Sequence, residues 1–287
     1  MSAPDGLLLV DKPSGITSHD VVDRVRCALG TRKVGHSGTL DPMATGLMLV
    51  GVGRATRLLR YLSGLDKTYE GICRLGQETD TYDAEGTVVA SCEAEIGATR
   101  LEDAIGSFVG EIEQRPPAHS AVRVGGTRLY KAARRGEAVE APPRVVRIYS
   151  LEITAFDGRN VDFRVSCSSG TYVRSLVHDL GKTLGCGAHL TRLVRTRIGA
   201  FALEDARSVE DPGEPLPIER AVVHLPRVDL DEDEARGAIN GQPLGPAGIE
   251  GPYGVYGPDG SLIGVYRDGG AAARAEMILP SLSGGLG

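Results

Sequence analysis

Short apolar runs bounded by glycine, rather than long periodic stripes, dominate the first third of the chain. Gly6-Leu7-Leu8-Leu9-Val10 reads as a buried strand and Leu47-Met48-Leu49-Val50 as another, each a continuous apolar run of strand length. Between them Thr17 opens a helix, with Asp20 three residues on in place of the usual Glu. Val21, Val22, Val25 and Leu29 give that helix one apolar face, and Gly30 ends it. A second helix is expected over residues 54–62. Tyr69, Gly71, Cys73 and Leu75 then alternate with Glu70, Ile72 and Arg74, the period of a strand with one face toward a cleft or core.

The later chain alternates strand and helix patterns without a repeat. Thr99 and Glu102 predict a capping box for a helix carrying Leu101, Ile105 and Phe108, stopped by Arg115-Pro116-Pro117. Residues 121–129 read as a hairpin around Gly125-Gly126, followed by a short basic helix closed by Gly136. Strands are expected over 145–156 and 161–167, around Asp157-Gly158-Arg159-Asn160, and a helix over 171–184 before Gly185. Pro212, Pro215 and Pro217 among dense acids mark a linker or surface loop. Beyond it, Asp231 opens a short helix ending near Asn240-Gly241, and the stretch 256–262 turns between two short strands. Strands in non-repeating order with interspersed helices predict an α+β fold, with a larger unit over 1–222 and a small, mostly β unit over 223–287.

Composition narrows the class. The 287 residues are 41% apolar, enough for a sizeable core. No apolar run approaches the roughly 18 residues that span a membrane, and no basic region precedes an apolar segment at the start, so the cytoplasm is the expected location. Five cysteines form no Cys-x-x-Cys pair. Cys186-Gly187-Ala188-His189 offers two ligands where zinc takes three or four, so no metal is expected. The net charge of −6 argues against a nucleic-acid partner, yet charge is segregated along the chain. Residues 115–147 hold eight Lys and Arg against Glu137 and Glu140, while 201–235 hold eleven acids against three arginines. A local basic face attracts phosphates despite an acidic total, although such a run is more commonly a solvated surface.

The octapeptide Gly35-His36-Ser37-Gly38-Thr39-Leu40-Asp41-Pro42 sets one carboxylate among small residues and a proline, where a ligand can approach the backbone closely. An Asp in such a loop is more often a turn former than a catalyst. Three further segments shift that balance: Lys12-Pro13-Ser14-Gly15-Ile16-Thr17-Ser18, Asp66-Lys67-Thr68-Tyr69-Glu70 and Ser169-Gly170-Thr171-Tyr172-Val173-Arg174. With residues 35–46, their order and spacing resemble the bacterial tRNA pseudouridine synthases that act on the T-arm uridine, the TruB family. The resemblance runs from about Gly6 to about Gly199 and includes the stretch from Arg74 to Asp83 and Pro116-Pro117-Ala118-His119-Ser120-Ala121. It fades in the last third, which is weakly similar to an RNA-binding PUA domain.

The resemblance implies a pseudouridine synthase fold, with a mixed, mainly antiparallel central sheet, flanking helices and a PUA-like C-terminal domain. It implies isomerisation of uridine 55 in tRNA by base flipping, without a cofactor. Asp41 takes the place of the nucleophile, and attack on the ribose or on the uracil ring both stay open. Arg174 matches the carboxylate's partner, and its fork of donors favours an ionised Asp41 at neutral pH. Tyr69 matches the tyrosine that stacks on the target base, its phenol able to handle the proton leaving C5, and Tyr172 a second substrate contact. His36 corresponds to the residue filling the place vacated by the flipped uridine, Leu193 to an apolar wall of the uracil pocket, and Lys12 to a pocket support or phosphate contact. Arg123, Arg128, Lys131, Arg134 and Arg135 fall in the insertion, about 115–147, that family members fold over the T-arm. Arg123 departs from the lysine often found there, keeping charge but not point-charge geometry. The implied partner is the tRNA T-arm stem-loop, bound by a monomer that needs no second protein.

Other readings are an RNA-binding or RNA-folding protein with a vestigial loop and a guide-dependent synthase of ribosomal RNA. The run Ile16-Thr17-Ser18-His19-Asp20 and the basic insertion look more like the stand-alone bacterial type. A serine hydrolase built on Ser168, Ser169 and His178 lacks nucleophile-elbow spacing.

Overall fold

A computed structural model of the chain describes residues 5–93, 95–117 and 141–279, together with the backbone of 123–124 and 127–128. The first strand, β1 (Gly6–Lys12), leads into helix α1 (Ser18–Leu29). Thr17 caps α1 reciprocally with Asp20, and Gly30 closes it in the left-handed region at φ 61°. Next come β2 (Val34–His36), β3 (Thr45–Val52), a 3-10 turn over Gly53–Arg57 and the short α2 (Leu59–Ser63), where the pattern had predicted one helix. β4 (Lys67–Leu75) carries the alternation seen in the sequence. It is followed by β5 (Gln77–Thr79), β6 (Val88–Ser91) and α3 (Ala98–Gly106).

Helix α3 starts two residues earlier than expected. Leu101 donates its N–H to Gly97 O at 3.1 Å, and Gly97 rather than Thr99 is the cap, which turns Leu101, Ala104 and Ile105 inward. After it lies β7 (Gly110–Gln114), a strand that the pattern did not predict. It is an edge strand with Glu111 and Glu113 exposed, so its sequence holds almost no apolar signal. Arg123 and Arg128 are register partners in the two-residue strands β8 (Arg123–Val124) and β9 (Thr127–Arg128) of the expected hairpin. Lys131, Arg134 and Arg135 lie outside the described residues.

β10 (Arg144–Phe156), β11 (Asn160–Cys167), α4 (Val173–Leu184), β12 (Ala188–Ile198), β13 (Phe201–Ala202) and β14 (Arg207–Ser208) complete a mixed sheet. Its order is β14-β1-β3-β12-β4-β11-β10-β7, with β2 on β3 and β13 on β12. Only β1 with β14 and β3 with β12 run parallel. The small unit contributes β15 (Arg227–Asp229), α5 (Glu232–Ile239), β16 (Pro252–Tyr256), β17 (Leu262–Gly269) and β18 (Ala272–Ile278), in the sheet order β15-β16-β17-β18. The architecture is α+β, as expected. No helix among the described residues is long and apolar enough to cross a membrane.

The continuous apolar runs have a tertiary cause. Leu8, Val10, Met48 and Val50 face the main core with Val21, Val22 and Val25 of α1. Leu7, Leu9, Leu47 and Leu49 face the other way, into a second core shared with Tyr256, Leu262, Val265 and Met277 of the small sheet. Both faces of β1 and β3 are covered, so both sets of positions are apolar. Polar contacts reinforce this docking: Glu276 Oε2 accepts from Tyr61 Oη at 3.0 Å and pairs with Arg60 at 3.2 Å, and Arg57 donates to Ile278 O at 2.9 Å.

Gly46 pairs with Arg195 where the parallel strands β3 and β12 meet. Its φ is +100°, and a Cβ there would sit 2.5 Å from Arg195 O. Left-handed strain and the backbone clash together cost about 2 kcal/mol or more, so Gly46→Ala is expected to lower Tm by about 5 °C or more, read by calorimetry against wild type.

Candidate active site

The loop between β2 and β3 carries Asp41, and the Lys12–Ser18 segment holds that loop by its backbone. Lys12 is fully buried, and its Nζ donates to Pro13 O (3.0 Å), Pro42 O (3.1 Å) and Ala44 O (2.6 Å). Gly15 N donates to Pro42 O at 2.9 Å, and Ser18 Oγ bonds both Leu40 N and Leu40 O. The Lys-Pro-x-Gly-x-Thr-Ser segment is thus a set of donors matched to the carbonyls of a loop with no regular structure of its own. Burial lowers the Lys12 ammonium to about 8, although Asp41 nearby favours its charge.

Arg174, in the first turn of α4, reaches two carboxylates. Its Nε lies 2.9 Å from Asp41 Oδ2, and its Nη1 lies 3.0 Å from Asp83 Oδ2 while also donating to Thr81 O at 3.1 Å. Arg174 and Asp83 are 5% and 3% exposed at the side chain, whereas 35% of Asp41 faces the cavity. Asp83 Oδ1 accepts from Thr81 Oγ1 at 2.6 Å and from Glu85 N at 3.0 Å. Arg174 and Asp83 neutralise each other, which leaves Asp41 as the surplus charge of the triad. Burial raises the Asp41 carboxyl above its ordinary value, Arg174 opposes the rise, and Asp83 adds to it. The ion pair alone predicted a carboxyl held down; desolvation outweighs it.

A cavity of about 350 Å³ opens over Asp41. Tyr69, Leu193, Tyr172 and Arg174 line it, as do Lys67 and Arg195. Tyr69 and Arg195 are register partners on β4 and β12. Arg195 is buried and donates through Nε to Leu47 O at 2.7 Å, through Nη2 to Gly38 O at 3.2 Å, and to the Tyr69 phenol. Burial raises Tyr69 above its ordinary value, so its phenol keeps its proton at neutral pH. Gln114 exchanges two hydrogen bonds with the main chain of Tyr172, and the Arg144 guanidinium lies over the Tyr172 ring at 5.1 Å. Three cations, Lys67, Arg174 and Arg195, line the cavity together with the one carboxylate of Asp41, a field that suits a polyanionic ligand.

His36 and Lys12 are not among the residues that line the cavity. His36 ends β2 with Nδ1 accepting from Gly38 N at 3.3 Å, and burial, then Arg195, lower its imidazole below the ordinary value. Among the described residues no cluster of three or more side chains is arranged to hold a metal ion.

Residues 26–173 match the model of the TruB family pseudouridylate synthase N-terminal domain. The chain belongs to the TruB family. Residues 174–211 match a tRNA pseudouridylate synthase B C-terminal domain, and 225–280 the C-terminal model of tRNA pseudouridine synthase II. A tRNA pseudouridine synthase B of Mycobacterium sp. (strain KMS) is 47% identical over 284 residues, covering 96% of each chain. One from Thermobifida fusca is 44% identical, covering 96% of this chain and 98% of its own. Among solved structures, a protein in a Cbf5-Nop10-Gar1 complex shares 28% identity and a TM-score of 0.75 over 96% of this chain and 87% of its own.

Arg195, Asp83 and Gln114 escaped the sequence reading of this TruB family member. Arg195 had a signal, since it lies two residues beyond Leu193 and so shares a strand face. Asp83 closes a stretch that carried the resemblance without being given a role. Gln114 had no signal, because its strand was not predicted.

The raised Asp41 carboxyl has a stability consequence with a defined sign. Between pH 3.8 and its raised folded value the folded state holds the extra proton, so stability falls as pH rises through that window. Asp41→Asn is expected to raise Tm at pH 7 by about 1–2 °C, allowing for screening at the open mouth, with the gain vanishing below about pH 4 in paired thermal melts.

Proposed function

We propose that this chain isomerises uridine 55 of the tRNA T-arm to pseudouridine, with Asp41 as nucleophile and without a cofactor. The observation that carries the reading is the Asp41 carboxylate, fixed by Arg174 at 2.9 Å inside a cavity that also presents Tyr69 and Leu193. A flipped uracil fits between an aromatic face and an apolar wall, where stacking returns part of the energy lost on leaving the RNA helix. Asp41 then attacks either the ribose carbon or the ring. The N1–ribose bond breaks, the uracil turns and C5 joins the same carbon, the bond that Asp41 made breaks to return the free carboxylate, N1 gains a proton and C5 loses one, so the atoms balance without a co-reactant. Tyr69, protonated at neutral pH, enters as a stacking surface and a hydrogen-bond donor.

The tRNA substrate is supported by the relatives' names and by their 47% and 44% identity over nearly the whole chain. That exceeds the 28% shared with the protein of the Cbf5-Nop10-Gar1 complex, which favours a stand-alone monomer on a bare T-arm over a guide-dependent assembly. His36, beside the cavity, suits a role in T-loop recognition. The basic segment with Arg123, Arg128, Lys131, Arg134 and Arg135 suits the phosphates of the stem, and the C-terminal unit a second RNA contact.

Asp41→Asn is expected to lower tritium release from 5-tritiated uridine in tRNA by at least about a thousandfold while leaving RNA affinity within about twofold. Retained turnover, or modification mapped to a position other than 55, would overturn the assignment.

A further inference from the structure

Tyr82 is the one described non-glycine residue with a left-handed backbone, at φ 64°. For an aromatic residue this conformation costs free energy, because Cβ crowds the neighbouring carbonyl, and it persists only where surrounding contacts hold it. The contacts are on two sides. The Tyr82 ring stacks on His178 with centroids 3.7 Å apart and planes 15° from parallel. Its main chain is pinned by Tyr82 N to Thr79 O at 3.2 Å and Leu190 N to Tyr82 O at 3.0 Å. His178 is buried, and its Nδ1 lies 3.3 Å from Glu78 Oε1.

The next residue along the chain is Asp83, the buried partner of Arg174. Arg174 and His178 stand four residues apart on α4, on adjacent turns of one face. One helix therefore grips one turn at two neighbouring residues, by an ion pair at Asp83 and by a ring stack at Tyr82.

We propose that the Tyr82–His178 stack is a positioning clasp for the Asp83–Arg174–Asp41 triad. The stack holds the turn in the left-handed form from which Asp83 meets Arg174, and so sets the guanidinium edge that Arg174 offers to Asp41. Neither Tyr82 nor His178 lines the cavity, so the clasp acts on the rate of the chemical step and not on RNA affinity. The inference rests on the reading that Asp41 acts on the RNA.

Three measurements on the full chain test it: single-turnover isomerisation of a T-arm stem-loop, the affinity for that RNA, and the NMR signal of the Arg174 Nε–H. His178→Ala and Tyr82→Ala are each expected to slow the chemical step about tenfold, with RNA affinity within about twofold, and to shift the Arg174 signal. His178→Phe keeps a ring for stacking without the Glu78 contact and should restore the rate to within about twofold. The double variant Tyr82→Ala/His178→Ala should be no slower than either single one, because both remove the same contact. A wild-type rate and an unmoved Arg174 signal in His178→Ala would overturn the proposal, as would a His178→Phe protein as slow as His178→Ala. Should His178→Ala fail to fold, Tyr82→Ala and His178→Phe carry the same comparison. Should the wild type leave the RNA unchanged, the functional reading fails, while the Arg174 signal still reports on the clasp.

Discussion

Arg174 is buried where two carboxylates reach it from distant segments, Asp41 at 2.9 Å and Asp83 at 3.0 Å. An unpaired guanidinium would not be tolerated at that depth. The pairing ties three pieces of chain to one point: the loop after β2, the turn before β6 and the first turn of α4. Each supplies part of the cavity or its backing, so the shape of the site follows from how this cation is satisfied. The triad holds two anions to one cation. That imbalance leaves Asp41, the member open to the cavity, with a carboxyl raised by burial.

Two more buried cations do related work on the backbone. Lys12 donates to three carbonyls around the Asp41 loop, and Arg195 donates to Leu47 O, Gly38 O and the Tyr69 phenol. Irregular loops carry carbonyls that no ladder satisfies, and a long cationic side chain can reach several of them. Each cation also adds positive potential near a single carboxylate. The acidic net charge of the whole chain therefore says little about the sign of the cleft.

Many of the acids that produce the net charge have local structural tasks. Asp231 and Glu234 form the capping box of α5. Asp268 accepts from three consecutive backbone N–H groups, of Ala247, Gly248 and Ile249, and from Tyr253 Oη. Asp157 closes the turn between β10 and β11. Glu276 joins the small sheet to α2. Counting charge along the sequence could not separate these acids from a surface that repels RNA.

Local chemistry was legible in the sequence. Thr17 with Asp20, Gly30 and Gly185 act within a few residues of themselves, so their caps could be read directly. The runs at β1 and β3, the alternation of β4 and the α+β class followed from hydrophobic pattern, and the segments around Asp41, Tyr69 and Arg174 carried the family resemblance. Tertiary structure alone decided that β1 and β3 are covered on both faces, that β12 is a central strand despite Arg192, Arg195 and Arg197, and that Asp83, 91 residues before Arg174, is its second partner. It also assigned the Lys12 donors to loop carbonyls. These features depend on which distant groups share a desolvated volume, and a buried charge is satisfied by whatever the fold brings within 3 Å, which no local pattern encodes.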